Sequence, residues 1–204
     1  ISLKDFRVNQ TSVTAVALPR ERGWDIDMRG RNLDLGTWIK NSDPGDAEPL
    51  DGGTPLTISV NLDQVELFAG QSLKNVTGAL DFDGTVWQSI KLDAGLGAEG
   101  RSLTVTLVPA GATRRLTMSS DDAGATLRVF DINENLVGGS FEFLGVYDDS
   151  LPHRPLEGTA TIRNFRIIQA PFLTQLLSIA SLTGILDALS GDGLAFSNME
   201  VPIQ

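Results

Sequence analysis

The sequence predicts a mainly β fold: an elongated, curved antiparallel sheet, trough-like or a half-sandwich, with one short helix and one C-terminal apolar helix. Short runs alternate apolar and polar residues, the period of a half-buried strand. These runs recur roughly every 10–15 residues without long helices between them, which favours antiparallel meanders over βαβ units. The 21 glycines and 9 prolines supply the many turns that such a fold needs.

The clearest strand covers residues 56–63, where every second residue is apolar: Leu56, Ile58, Val60 and Leu62. Residues 24–29 alternate in the same way. Further strands are predicted at 79–82, 86–92, 103–108, 116–119, 140–146, 159–165 and 194–201. A glycine precedes four of the alternating runs, and we interpret each as a strand start: Gly78, Gly139, Gly158 and Gly193.

Two segments are predicted to be helical. Residues 121–130 begin with Asp121 and Asp122, which suit a helix N-cap and the positive end of the helix dipole. Residues 170–191 carry one formal charge, Asp187. This segment is too polar for a confident membrane span and too poorly charged for an ordinary surface helix. It therefore suits packing against a large apolar surface or contact with lipid.

The chain is expected to form one β-rich domain over 1–204. Since it starts at Ile1 without a methionine and ends as another apolar run begins, we expect it to be a fragment of a longer protein. Its expected parts are N-terminal strands (1–40), a flexible acidic loop rich in proline and glycine (41–55), the main sheet (56–169), the apolar helix (170–191) and a final strand (192–204).

Composition excludes several kinds of site. The net charge of −10 argues against nucleic acid as a partner, because binding it requires lysine and arginine. The absence of cysteine removes disulfides, thiolate nucleophiles and cysteine metal sites. The one histidine, His153, lies between two prolines and is interpreted as a solvated loop residue. No catalytic residue, metal site or cofactor is predicted, and the protein is not expected to be an enzyme.

One motif resembles an enzyme signature. LDFDGTV (80–86) is similar to the first motif of the haloacid-dehalogenase phosphatases, in which the first aspartate attacks phosphorus and the second acts as acid and base. That chemistry requires the carboxyl end of a buried parallel strand. Residues 72–79 do not form a buried run, and 87–92 look like a second strand. We therefore predict a hairpin with Asp83 and Gly84 at its turn, and keep the phosphatase as a remote alternative.

Alternation alone fits two arrangements. In the first, the apolar faces meet in a closed sandwich core; in the second, they line an open groove. A collinear series of motifs favours the second, because it resembles the C-terminal region of bacterial AsmA-like envelope proteins related to YhdP. The motifs are SDDAG (120–124), LRVFDI (127–132), VGGSFEF (137–143), GTATIRNF (158–165) and APFLTQLLSIASLTGI (170–185).

The resemblance implies a periplasmic, trough-shaped β protein of a bridge-like lipid transport family, with an inner-membrane anchor absent from this chain. It implies a role in phospholipid transport between inner and outer membranes and in envelope integrity. Phospholipid or another acyl-chain lipid is the expected partner. Membrane contact is expected through the absent regions, with the C-terminal helix as a further candidate, and envelope proteins are possible partners.

The resemblance transfers no catalytic residues, so candidate lipid contacts come from the alternation and the apolar helix. They are Leu56, Ile58, Val60, Leu62, Leu103, Val105, Leu107, Phe172, Leu176 and Ile179. Which sheet face lines a groove stays open at this point. The alternative function is a non-enzymatic scaffold that assists outer-membrane assembly through protein contacts.

Overall fold

The structure is a computed structural model that describes residues 2–8, 11–36, 53–68, 70–168 and 193–203. Its strands form one eleven-stranded sheet in which each strand lies beside its neighbours in sequence. The strands are β1 (Ser2–Val8), β2 (Thr11–Pro19), β3 (Trp24–Asp34), β4 (Leu56–Phe68), β5 (Gln71–Phe82), β6 (Trp87–Leu96), β7 (Arg101–Pro109), β8 (Thr113–Ser120), β9 (Leu136–Asp148), β10 (Leu156–Ile167) and β11 (Leu194–Ile203). One short helix of the described residues, α1 (Ala123–Val129), joins β8 to β9.

The prediction of a mainly β, curved and open antiparallel sheet with one short helix is confirmed. One strand pair departs from it: β3 and β4 run parallel, with Trp24 opposite Leu56 and Asp34 opposite Glu66. In a parallel pair, the connection must return to the end of the sheet at which the first strand began. The alternation of apolar and polar residues, however, has the same period in parallel and antiparallel strands. The sequence pattern therefore could not reveal the direction of this pair.

The glycines were interpreted wrongly as strand starts. Gly78, Gly139 and Gly158 lie inside β5, β9 and β10, and among the four only Gly193 precedes its strand. The physical reason is close approach between strands. A Cβ added at Gly78 would lie 2.1 Å from the carbonyl oxygen of Lys91, so β6 leaves no room for a side chain there.

The predicted hairpin at 80–87 is confirmed. Phe82 and Trp87 are direct partners where antiparallel β5 and β6 end and begin. Asp83 organises the turn, since its Oδ1 accepts hydrogen bonds from the backbone N–H groups of Thr85 (2.7 Å) and Val86 (2.9 Å). This context differs from the buried parallel strand that phosphatase chemistry requires.

Helix α1 begins where the acidic pair predicted it. The N-cap is Asp122, whose Oδ1 accepts a hydrogen bond from the backbone N–H of Ala125 at 2.9 Å. The helix packs mainly on β9, and Gly124 makes the closest approach. A Cβ at Gly124 would lie 2.4 Å from the carbonyl oxygen of Leu136. Two of the motifs behind the family resemblance, SDDAG and VGGSFEF, thus meet at this contact.

The predicted apolar helix (170–191) lies outside the described residues. Most of the predicted acidic loop (41–55) also lies outside them, and only 53–55 are described, as irregular backbone that leads into β4.

Replacing Gly124 with alanine should destabilise the protein, although the same change in a free helix stabilises it by about 1 kcal/mol. The added methyl group would collide with the β9 backbone and force α1 away, at a cost of about 1–3 kcal/mol. Urea unfolding measures the change. An unchanged or raised midpoint for Gly124→Ala would show that α1 does not lie this close to β9.

Candidate functional site

The strand registers place apolar residues in one continuous row across the sheet. Residues directly opposite each other on paired strands point to the same face. Starting from β4, the row runs through Val60, Gly78, Leu92, Val105, Met118, Phe143, Ala160 and Val201. We call the side of the sheet that carries this row the apolar face.

Neighbouring rows, two residues away along each strand, are also mostly apolar. One contains Ile58, Leu80, Ile90, Leu107 and Leu116. The other includes Leu62 with Val76 and, after a register shift, Ala94, Leu103, Ser120, Phe141, Ile162 and Met199. The opposite face carries threonine and charged residues such as Thr106, Thr117 and Lys91. The sheet is therefore amphipathic over at least eight strands.

A first cavity of about 360 Å³ lies on the apolar face between β3 and β8. All fifteen residues that line it are hydrophobic. They are Leu33, Leu35, Val60, Leu62, Val65, Leu67, Leu73, Val76, Leu80, Leu92, Ala94, Leu103, Val105, Met118 and Phe130. Its size falls within the range of about 300–1,000 Å³ that small-molecule sites occupy.

A second cavity of about 600 Å³ continues the apolar face from β8 to β11. Its lining is hydrophobic apart from Thr126 and Asn133, and includes Leu116, Met118, Phe130, Phe141, Phe143, Ile162 and Met199. Glycines shape its floor: the ring of Phe143 lies where a Cβ at Gly145 or Gly158 would fall, at 2.7–2.8 Å. Side chains at either position would push this ring into the cavity.

Helix α1 is the only additional layer that the described residues place on this face. Ala125 and Val129 pack with Leu62, Val65, Leu67, Val76, Leu96 and Leu103. On its other side, Ala123 and Leu127 pack with Leu136, Ile162 and Phe165. The helix thus covers one end of the strands and leaves the two cavities beyond it.

The structure brings seven of the predicted contact residues onto the apolar face. Val60, Leu62, Leu103 and Val105 line the first cavity, while Ile58 and Leu107 occupy the adjacent row. Leu56 is on the same face at the start of β4, opposite Phe82, but lines neither cavity. It lines a separate pocket of about 210 Å³ whose walls also carry Arg20, Arg22, Asp81 and Asp83. The remaining three, Phe172, Leu176 and Ile179, lie outside the described residues.

The sequence analysis missed most of the second cavity. Its strands were predicted, but none of their inward residues was chosen as a contact. The available signal was the alternation of Phe141 with Phe143 and of Ala160 with Ile162. Phe130 was placed on a helix without any link to the sheet, because α1 reaches this face only through tertiary packing.

A partly buried ion pair lies beside the apolar face at the end of β8 opposite α1. Arg114, only 7% exposed in its side chain, contacts Asp149 with Nε to Oδ2 and Nη2 to Oδ1 both at 2.8 Å. Its Nη1 donates to the carbonyl oxygen of Trp87 at 2.8 Å, and its guanidinium lies 4.7 Å from the ring centre of Tyr147. These contacts tie β8 to β6, β9 and the following loop.

The electrostatics at this end favour ionised carboxylates. Hydrogen bonds from Arg114 hold the pKa of Asp149 below its usual value. Hydrogen bonds from Ser89 and Thr57 likewise lower the pKa of Asp81. Asp81 therefore acts as an acceptor between β4, β5 and β6 on the polar side of the hairpin.

Two other kinds of site are absent from the described part of the chain. No group of three or more histidine or acidic residues there has the proximity needed to hold a metal ion. No helix of that part is long and apolar enough to cross a membrane. Comparison with protein-family models, curated proteins and solved structures found no match for this chain.

Replacing Arg114 with methionine should destabilise the fold by about 3 kcal/mol, because Asp149 loses its partner beside a largely buried cluster. The matched control is Arg29→Met, which breaks the exposed pair with Asp27 and should cost less than about 0.5 kcal/mol. Denaturant unfolding at neutral pH measures both. Equal losses of stability in the two variants would contradict a stabilising role for the Arg114–Asp149 ion pair.

The stability that Asp149 supplies should also depend on pH. Because its folded pKa is lowered, this contribution is complete above the ordinary aspartate value of about 3.9 and is lost as pH falls below it. The difference in unfolding free energy between the natural protein and Asp149→Asn should therefore shrink as pH is lowered from about 5 to 3. A difference that is constant across this range would contradict the ion pair.

Proposed function

We propose that this protein holds lipid acyl chains on its apolar face. The observation that carries the proposal is the continuous row of hydrophobic side chains with two cavities along it. In a soluble sandwich, a second sheet buries such a face. Here α1 is the one covering element among the described residues, and hydrocarbon surface stays accessible on both sides of it.

Acyl chains match this surface chemically. The cavity walls offer almost no hydrogen-bonding groups, so a polar ligand would lose its hydration without compensation. A hydrocarbon chain loses nothing comparable and gains about 0.8 kcal/mol for each CH₂ removed from water. A chain lying along the rows would cross several strands, because each row runs perpendicular to them.

The wider setting that we propose follows the resemblance to AsmA-like proteins. The chain would belong to a periplasmic trough that carries phospholipid between the inner and outer membranes and supports envelope integrity. Its anchor in the inner membrane would lie outside this chain, and it would act without catalysis or cofactor. An open amphipathic sheet is the architecture that such a carrier needs.

A scaffold for outer-membrane assembly is the second candidate, and an observation on the other face favours it. Leu144 and Val146 alternate on the outward side of β9 and are 51% and 41% exposed. Two neighbouring apolar side chains on a polar face suit a protein contact. This candidate requires a partner on the outer face and no ligand in the cavities.

Charge placed on the apolar face should abolish acyl-chain binding. Val105→Asp puts a carboxylate into the first cavity and Ala160→Asp puts one into the second. The matched controls, Thr106→Asp and Thr159→Asp, place the same charge one residue away on the opposite face. Binding of a fluorescent fatty acid should fall at least tenfold in the double variant that carries both Val105→Asp and Ala160→Asp, because a buried unpaired charge costs several kcal/mol. The double variant that carries both outward substitutions should bind like the natural protein.

Lipid extraction and mass spectrometry of the purified natural protein complete the test. Co-purifying phospholipid or fatty acid is the expected result. A natural protein that carries no acyl chains and rejects the fluorescent fatty acid would contradict the proposal. Equal loss of binding in the outward controls would show that the probe does not enter the cavities. Leu144→Ser with Val146→Ser should leave binding intact, whereas the scaffold function predicts loss of a crosslinked envelope partner.

A further inference from the structure

Two side chains line both cavities. Met118, from β8, and Phe130, which follows the last residue of α1, belong to the walls of the first cavity and of the second. They therefore stand at the junction between the two parts of the apolar face. On the sheet itself, Met118 is part of the row of apolar residues, between Val105 and Phe143.

The position of Phe130 is fixed by the helix that carries it. Its backbone N–H donates to the carbonyl oxygen of Thr126 at 3.3 Å, as the helix C-cap. The helix is held in turn by its N-cap Asp122 and by the contact of Gly124 with the β9 backbone. Phe130 also packs against the core cluster of the first cavity. The position of the Phe130 ring on the apolar face is therefore set by contacts at both ends of α1.

We propose that Met118 and Phe130 divide the acyl-binding face into two compartments, each of which takes one hydrocarbon chain, and that Phe130 sets the longest chain that fits. This inference rests on the proposed function and names its substrate class: a lipid with two acyl chains, one on each side of the divide. A single-chain amphiphile would fill the compartments separately, with two molecules for each protein.

The dividing role follows from shape and chemistry. The two residues that both compartments share, Met118 and Phe130, are hydrophobic, so the bulk of these side chains and not a polar group restricts passage between them. A chain that reaches the divide must end there or displace the Phe130 ring from its packing. Beyond that length, additional CH₂ groups stay in water and add no affinity.

Competition by saturated fatty acids of increasing length tests the divide. For the natural protein, affinity should rise about threefold to fourfold with each CH₂ and then level off. In Phe130→Ala the rise should continue to longer chains, because the two compartments merge. Native mass spectrometry with the same acids should give two molecules for each natural protein and one long-chain molecule for the variant.

Ile132→Ala is the matched control. Ile132 lines only the second cavity and is 68% exposed, so its removal takes away apolar surface without opening the divide. Its chain-length profile should level off at the same length as that of the natural protein. Phe130→Leu and Met118→Ala test the same point with smaller losses of packing, should Phe130→Ala fold poorly.

The outcomes separate the two claims. Identical plateaus in the natural protein and in every folded variant of the divide would overturn the two-compartment inference while leaving acyl binding in place. One bound molecule for each natural protein, at saturating fatty acid, would overturn it as well. No binding of any chain by the natural protein would instead overturn the proposed function.

Discussion

The register of the strands is the constraint on which the rest of this structure depends. A slip of one residue would move every side chain of a strand to the other face. Eight strands stay in phase from Val60 to Val201, through register shifts in the β4–β5 and β5–β6 pairs. Because the register holds, the apolar side chains of these short alternating runs lie side by side and form one hydrocarbon surface, with polar residues on the opposite face.

Glycine serves this surface in two ways. At Gly78 the neighbouring strand comes too close for any side chain, while Gly145 and Gly158 leave the space that the Phe143 ring occupies. At Gly124 the same freedom from a Cβ lets a helix lie directly on a strand backbone. The shape of the apolar face is therefore set as much by missing side chains as by large ones. Since glycine also marks turns, the sequence alone suggested the wrong role for two of these positions, Gly78 and Gly158.

The sequence was sufficient for features that depend on local patterns. Most of the strands, the hairpin at Asp83 and the Asp122 N-cap follow from neighbours along the chain, although the strand predicted at 79–82 is only the last part of β5. It was insufficient where the cause lies far away in sequence. The parallel pairing of β3 with β4, the meeting of Phe130 with Met118, and the choice of the face that carries cavities all require the assembled sheet. Alternation identifies two faces of a strand and says nothing of what covers either.

An amphipathic sheet of this kind is incomplete by itself. Exposed hydrocarbon costs free energy in proportion to its area, so folded proteins normally bury such a face against a second layer. Among the described residues, a seven-residue helix covers only the ends of these strands. At the opposite end of β8, the Arg114 cluster places an ion pair and its hydrogen bonds beside the apolar rows. The hydrocarbon ligand that we propose would lie between these two limits and complete the burial that the described residues begin, and unlike a second protein layer it could be exchanged.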